Sequence, residues 1–339
     1  MWKVMIAESV HEEGIRILEA APDVELIQRP RISRAELLAE IEPVDAVVTR
    51  SGTTIDREFL QCAKNLKVAA RAGVGVDNID LGEASRRGVV VINAPTGNTL
   101  AATEHTMALL LSMARRLPQA DFSLKSGAWE RKSFMGFQLH GKRLLVIGLG
   151  RIGTQVAMRA KVFGMDVAAY DPYVAHVRME TLGVRRIEDL YQAIGWSDIA
   201  TLHVPATAQT RGMIGRKEIA AFKHGACLVN CARGSLVDEQ ACAEALREGR
   251  LASVAFDVFS AEPPGHDNPL MAQDLSGKVV LTPHLGANTV EAQSAVARIA
   301  AENLLAALRG EPYEHAVNLP FVEQRMTGTR RALDRKSVV

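Results

Sequence analysis

Residues 144–153 read LLVIGLGRIG, and a second apolar run, VAAYDP, follows and carries Asp171 near its end. The first residues predict a buried strand, and RIGTQVAMRAKVFG, from Arg151 onward, predicts a helix. A strand that runs into Gly148-x-Gly150-x-x-Gly153 and then a helix gives each glycine a task. Gly148 allows the tight turn, Gly150 lets a pyrophosphate approach the backbone, and Gly153 lets the helix pack close to the strand. The helix N-terminus offers N–H groups and a positive dipole end to phosphates. Asp171 stands 18 residues past Gly153, where a carboxylate accepts hydrogen bonds from an adenosine ribose. The stretch therefore predicts a dinucleotide site on a doubly wound α/β sheet. Asp171 would repel a 2′-phosphate. Pro172 and Tyr173 supply no cation to receive one, and Arg178 is distant in sequence. NAD is expected rather than NADP.

The 339 residues are enough for two domains with cores of their own. A net charge of +1 gives no electrostatic case for nucleic acid or an anionic membrane, so neither is expected as a partner. Local charge must hold any anionic substrate. Cys62, Cys227, Cys231 and Cys242 form no CxxC pair, and no metal centre is expected. They read as reduced thiols, and a cytoplasmic location follows. MWKVMIAES reads as a first strand rather than a signal peptide, and no transmembrane run is present.

Strand-like and helix-like segments alternate. KVMIAE, VELIQ, DAVVTR, LKVAARAG and VVVINAP form a first series, with HEEGIRILEAA and SRAELLAEI as helices between the first three strands. Their Val- and Ile-rich runs predict a parallel sheet covered on both faces. A long helix is expected from about Asn98 to Arg116. RLLVIGL, DVAAYD, SDIATLHVP, ACLVNCA, SVAFDVF and KVVLTPH form a second series. An amphipathic helix from about Thr289 to Arg309 closes the pattern. The expected organisation is two Rossmann-like parallel-sheet domains with a ligand cleft between them. Residues 1–97 with 288–320 would form a discontinuous substrate domain, residues 98–287 the NAD domain, and residues 321–339 a loose tail.

Three residues suit acid–base chemistry on an anionic hydroxy acid. Arg233 follows an apolar strand, where open α/β sheets present groups to a ligand, and its planar fork suits a carboxylate. From position alone it could equally cap a turn. His284 follows another apolar strand and can exchange a proton at neutral pH. Glu262 lies before two prolines. It could be a solvated loop acid, or, beside His284, a carboxylate that favours imidazolium.

Five ordered segments carry a resemblance: RAGVGVDNIDL from Arg71, GKRLLVIGLGRIG from Gly141, VNCARGSLVDE from Val229, AFDVFSAEPP from Ala255 and PHLGANTVEAQ from Pro283. Together they resemble the signatures of the D-2-hydroxyacid dehydrogenases across nearly the whole chain. The resemblance implies that Arg233 clamps the substrate carboxylate and C2 oxygen, that His284 exchanges the proton, and that Glu262 orients and charges His284. It implies Arg151 and Ile152 at the pyrophosphate. Val204, Cys231, Ala232, Asp257 and the segment from His284 through Gly286 to Ala287 would line other parts of the NAD site. The Val74 and Gly75 amides would bind the carboxylate.

A narrower likeness lies in WERKSFMG, GNTLAATEHT and PHLGANTVEAQ. It is to members acting on 3-phosphoglycerate, with Arg50, Arg131 or Lys132 for the phosphate and Asn98 as a polar contact. Arg131 and Lys132 could instead be a solvated pair. Glyoxylate, hydroxypyruvate or another anionic 2-hydroxy acid are the alternatives, and an NADH-sensing corepressor is a remote one. The helix beginning near Asn98 resembles the family's dimerisation helix and implies a homodimer. The sequence stops near the closing helix, so no C-terminal regulatory domain is expected.

Overall fold

A computed structural model describes residues 1–318; the tail expected at 321–339 lies outside the described residues. Twelve strands occur among those residues: β1 (Trp2–Ile6), β2 (Val24–Gln28), β3 (Ala46–Thr49), β4 (Val68–Arg71), β5 (Val90–Ile92), β6 (Arg143–Ile147), β7 (Asp166–Tyr170), β8 (Arg185–Arg186), β9 (Ile199–Leu202), β10 (Ala226–Asn230), β11 (Leu251–Phe256) and β12 (Val279–Leu281). The chain divides into two compact units. One comprises Met1–Thr99 with the chain from Ala287 onward, and the other Leu100–Gly286.

The first unit holds a five-stranded sheet in the order β2-β1-β3-β4-β5, parallel throughout. Its strands are apolar on both sides because both sides are covered. Val4, Ile6, Val48 and Ala70 face one cluster, while Met5, Val47, Ala69 and Val91 face the other. The first cluster is closed by the helix Val290–Arg309, which buries Val296, Ala300, Leu304 and Leu305. Thr289 caps that helix by accepting from Ala292 N, and Gly310 ends it in the left-handed region.

The second unit holds a seven-stranded parallel sheet, β12-β11-β10-β9-β6-β7-β8. Leu145, Ile147, Leu202, Leu228 and Phe256 face one cluster; Leu144, Val146, Val167, Val229 and Ala255 face the other. The order reverses direction at β6, which lies between β9 and β7. That reversal is the switch point where such sheets open to ligands at the carboxyl ends of their strands.

Three local readings change. The helix expected over Asn98–Arg116 is found at Thr99–Arg115, and a further helix that the sequence reading did not anticipate, Leu117–Lys125, follows it. Arg116 breaks the run in the left-handed region, at φ 52°, and Pro118 cannot continue it, because its ring would meet the carbonyl four residues back. That carbonyl, on Ala114, accepts from Phe137 N instead. The strand expected in SVAFDVF ends at Phe256 because Asp257 turns its carboxylate into a cage of donors. The two-residue edge strand β8 carries no apolar run to reveal it.

Candidate active site

The fingerprint turn joins β6 to the helix Arg151–Val162. Gly148 has φ 91°, and a Cβ there would come within 2.6 Å of the His203 carbonyl and a Val204 methyl. A Cβ on Gly153 would meet the Gly148 carbonyl at 2.0 Å. Gly150 differs. Its φ is −72°, ordinary for any residue, and a Cβ there would have nothing within 4 Å. The protein itself gives no reason for the missing side chain at this exposed position. Gly150 also leaves the helix start without a side-chain cap. Bare N–H groups beneath open space fit a dinucleotide pyrophosphate. Arg151 is exposed and Ile152 half-buried on this first turn.

Asp171 closes the turn. Its Oδ2 accepts from Leu149 N at 2.8 Å, and its Oδ1 accepts from Tyr173 N at 2.9 Å and Val174 N at 3.2 Å. The half-buried carboxylate retains some acceptor capacity beside the fingerprint.

The expected acid–base residues follow three adjacent strands of the same sheet, β10, β11 and β12, and so share its carboxyl edge with the fingerprint. After β10, the fully buried Asn230 ties down the next residues. Its Oδ1 accepts from Ala232 N at 3.0 Å, and its Nδ2 donates to the Arg233 carbonyl at 2.9 Å. Arg233 is half-buried and extended, and its guanidinium donates to the Ala232 carbonyl at 2.6 Å. Gly234 lies so close to the loop after β11 that a Cβ would fall 1.8 Å from the Phe259 carbonyl carbon.

That loop carries Glu262. Its Oε1 accepts from Phe259 N at 3.1 Å and its Oε2 lies 2.6 Å from His284 Nδ1. Burial by itself would raise the Glu262 carboxyl. The His284 hydrogen bond and charge, the Phe259 N–H and the Arg233 charge outweigh it and hold the group below its ordinary value. The loop is anchored from below by the buried Glu239, which accepts from Ser260 N at 2.6 Å, Ser260 Oγ at 3.0 Å and Asn268 Nδ2 at 2.7 Å.

His284 follows β12 at φ 54°, a conformation that costs a non-glycine residue about 1–2 kcal/mol. Asp257 holds it there. The Asp257 carbonyl accepts from His284 N at 2.8 Å. Its fully buried carboxylate accepts from Thr282 Oγ1 at 2.6 Å, Leu285 N at 2.7 Å and Gly286 N at 2.8 Å. Burial would raise this carboxyl too, but the donors, His105 among them, hold it low. Asp257, expected on the cofactor side, also fixes the His284 turn.

Neither Asn230, Thr282, Glu239 nor His105 was singled out in the sequence. The signal for the first two is a polar residue at the end of an apolar strand. Ligand atoms of His105, Cys231 and Asp257 lie within 4.8 Å of one another. The thiol, however, is pushed up to about 12 by burial, and the carboxylate already receives protein donors. His105 and Asp257 form a hydrogen-bonded pair beside a protonated thiol rather than a ready ligand set.

In the first unit, Arg50 follows β3, Val74 and Gly75 follow β4, and Asn98 follows β5. Arg50 N donates to Glu8 Oε1 at 2.7 Å, and its Nη1 reaches the Ser9 carbonyl at 3.3 Å. Asn93 Nδ2 donates to the Val74 carbonyl at 2.6 Å and so orients the Val74–Gly75 peptide. The Asn98 Oδ1 is buried without a hydrogen-bond partner. Arg131 and Lys132 belong to the second unit and are exposed on a short 3-10 turn.

A parallel sheet whose carboxyl edge carries a glycine fingerprint on one half and an Arg–Glu–His set on the other defines a nucleotide-dependent α/β protein with acid–base groups. Residues 107–286 match the family described as D-isomer specific 2-hydroxyacid dehydrogenase, NAD binding domain, and the chain belongs to that family. It is 47% identical to D-3-phosphoglycerate dehydrogenase of Methanocaldococcus jannaschii, over 97% of this chain and 62% of that one. It is 48% identical to D-3-phosphoglycerate dehydrogenase of Archaeoglobus fulgidus, over 95% of this chain and 60% of that one. The chain thus spans about three fifths of the length of these curated relatives. A crystal structure of a protein from Thermus thermophilus superposes with a TM-score of 0.84 at 34% identity, covering 93% of this chain and 99% of that one.

Proposed function

We propose that this chain is an NAD-dependent dehydrogenase acting at C2 of a D-2-hydroxy acid, with 3-phosphoglycerate and phosphohydroxypyruvate as its substrate pair. The observation that carries the reading is the 2.6 Å His284–Glu262 pair, on the same strand edge as Arg233 and the fingerprint. NAD, when bound, supplies the hydride acceptor for oxidation and, reduced, the hydride donor for reduction. With Nδ1 engaged by Glu262, His284 keeps Nε2 for the substrate oxygen. It gives that oxygen a proton in reduction and takes one in oxidation. Glu262, held ionised, accepts from the Nδ1 side of the ring and so fixes which nitrogen faces the substrate. Arg233 receives the substrate carboxylate through paired hydrogen bonds. The Val74 and Gly75 amides are further carboxylate contacts, and Arg50, Asn98 and Arg131 are phosphate-side contacts. Asp171 receives the ribose and repels a 2′-phosphate. Val204, Cys231, Ala232, Gly286 and Ala287 line the remaining cofactor positions.

The phosphoglycerate assignment rests on the named relatives. Initial rates with NADH or NADPH test it, on phosphohydroxypyruvate, hydroxypyruvate, glyoxylate and sulfopyruvate. Preference for phosphohydroxypyruvate with NADH is the expected result. Preference for an unphosphorylated acid would transfer the assignment to a glyoxylate or hydroxypyruvate reductase and return Arg131 and Lys132 to the solvated surface. A homodimer accompanies this reading. The helix Leu117–Lys125 and the segment after it leave Phe122, Leu124, Trp129 and Met135 exposed, an apolar run that a second copy would cover. A cytoplasmic location fits the four free thiols. Among the described residues, no helix is long and apolar enough to cross a membrane.

A further inference from the structure

The support behind His284 extends into the helix Thr99–Arg115. His105, half-buried on that helix, places Nε2 3.0 Å from Asp257 Oδ1 and 3.1 Å from Thr282 Oγ1. Thr282 already donates its proton to the same Oδ1, at 2.6 Å. Nε2 faces two acceptors and must itself carry a proton to hydrogen-bond with either. Asp257 therefore gathers donors from Thr282, Leu285, Gly286 and His105, while its carbonyl takes the His284 N–H. Every one of these except His105 lies on the turn that carries His284. His105 is the donor that ties the turn to a different element.

The geometry points to His105 as a positioning residue for His284. Through Asp257 it keeps the turn in its left-handed conformation, so that the imidazole stays on Glu262 with Nε2 turned outward. A histidine present only for packing would need no proton at Nε2. Here a fully buried carboxylate depends on that proton as one of its donors. The inference rests on the proposed dehydrogenase reading, and its test separates the two.

The variants are His105→Ala, His105→Gln (whose amide can present an N–H near the place of Nε2) and His284→Ala. They are compared by kcat, KM, NADH affinity and amide exchange of Leu285 and Gly286 in the ligand-free protein. His105→Ala should lower kcat about ten- to hundredfold, the scale of one charge-assisted hydrogen bond. KM and NADH affinity should stay within about threefold, and exchange at both amides should quicken, because His105 acts on the turn through Asp257 and Thr282. His105→Gln should restore most of kcat and slow exchange again. His105→Phe, which fills the space without a donor, takes the place of alanine if that variant does not fold. Wild-type kcat in the donorless variant overturns the assignment. So does a glutamine variant no better than alanine, or unchanged exchange at Leu285 and Gly286. Retained turnover in His284→Ala would instead strike at the proposed function, and the exchange result would still decide the role of His105.

Discussion

Gly148 and Gly150 stand two positions apart in one turn, and different forces keep each of them free of a side chain. At Gly148 the force is internal: a φ of 91° and the His203 carbonyl 2.6 Å from any Cβ. Gly148→Ala should therefore lower folding stability by more than about 2 kcal/mol in a denaturant titration, because strain and overlap add. At Gly150 only a ligand would object to a Cβ. Gly150→Ala should leave the denaturation midpoint nearly unchanged and weaken NADH binding about tenfold or more, read by fluorescence titration. Equal stability losses in the two variants would contradict the pyrophosphate assignment at Gly150. The same distinction explains what was legible at this scale. Arg233 and His284 stood out because each is a polar residue where an apolar run stops. Asp257 entered only through the family resemblance, which did not reveal its hold on the His284 turn. Nothing in the one-dimensional pattern says that Thr282, Leu285, Gly286 and a helix more than 150 residues upstream all converge on Asp257.

At the scale of elements, the parallel strands were readable because burial on both faces leaves unbroken apolar runs, as in β3 and β10. Elements without such runs were not. β8 is two arginines, and the short helix Leu117–Lys125 has no buried residue to mark its period. That helix is where the homodimer proposal can be tested. Phe122 is 73% exposed and Trp129 77% exposed, so charge at these positions should cost the isolated chain little stability. Phe122→Asp together with Trp129→Asp should shift the mass measured by light scattering from two copies to one, with far-UV circular dichroism preserved. An unchanged mass would place the contact elsewhere.

At the scale of the molecule, pH acts through groups buried in the wrong charge state for acid. His203, at the end of β9, is pushed down to about 3 by burial, and its Nε2 sits 3.0 Å from Thr201 Oγ1. The folded chain keeps this imidazole neutral where the unfolded chain binds a proton. Stability should then fall as pH drops below the unfolded histidine value of about 6.5, by up to about 1.4 kcal/mol per pH unit. Asp257 and Glu262, both held low, add their loss only at more acidic pH, as their carboxylates protonate. Urea midpoints between pH 7.5 and pH 5 should show the histidine slope, and His203→Gln should flatten it. A flat wild-type curve would mean that His203 titrates normally.

The helix Val290–Arg309 covers a sheet whose strands were all synthesised before residue 100. On the ribosome the order of folding is therefore not the order of synthesis. Residues 100–286 contain both of their face clusters and can close a core as soon as they emerge. The first sheet emerges earlier, and until the helix arrives Val4, Ile6, Val48 and Ala70 have only the part of their cover that Leu18 and Ala21 supply. During that interval part of its apolar face stays open to water, and substitutions that slow translation between β5 and the helix lengthen the exposure.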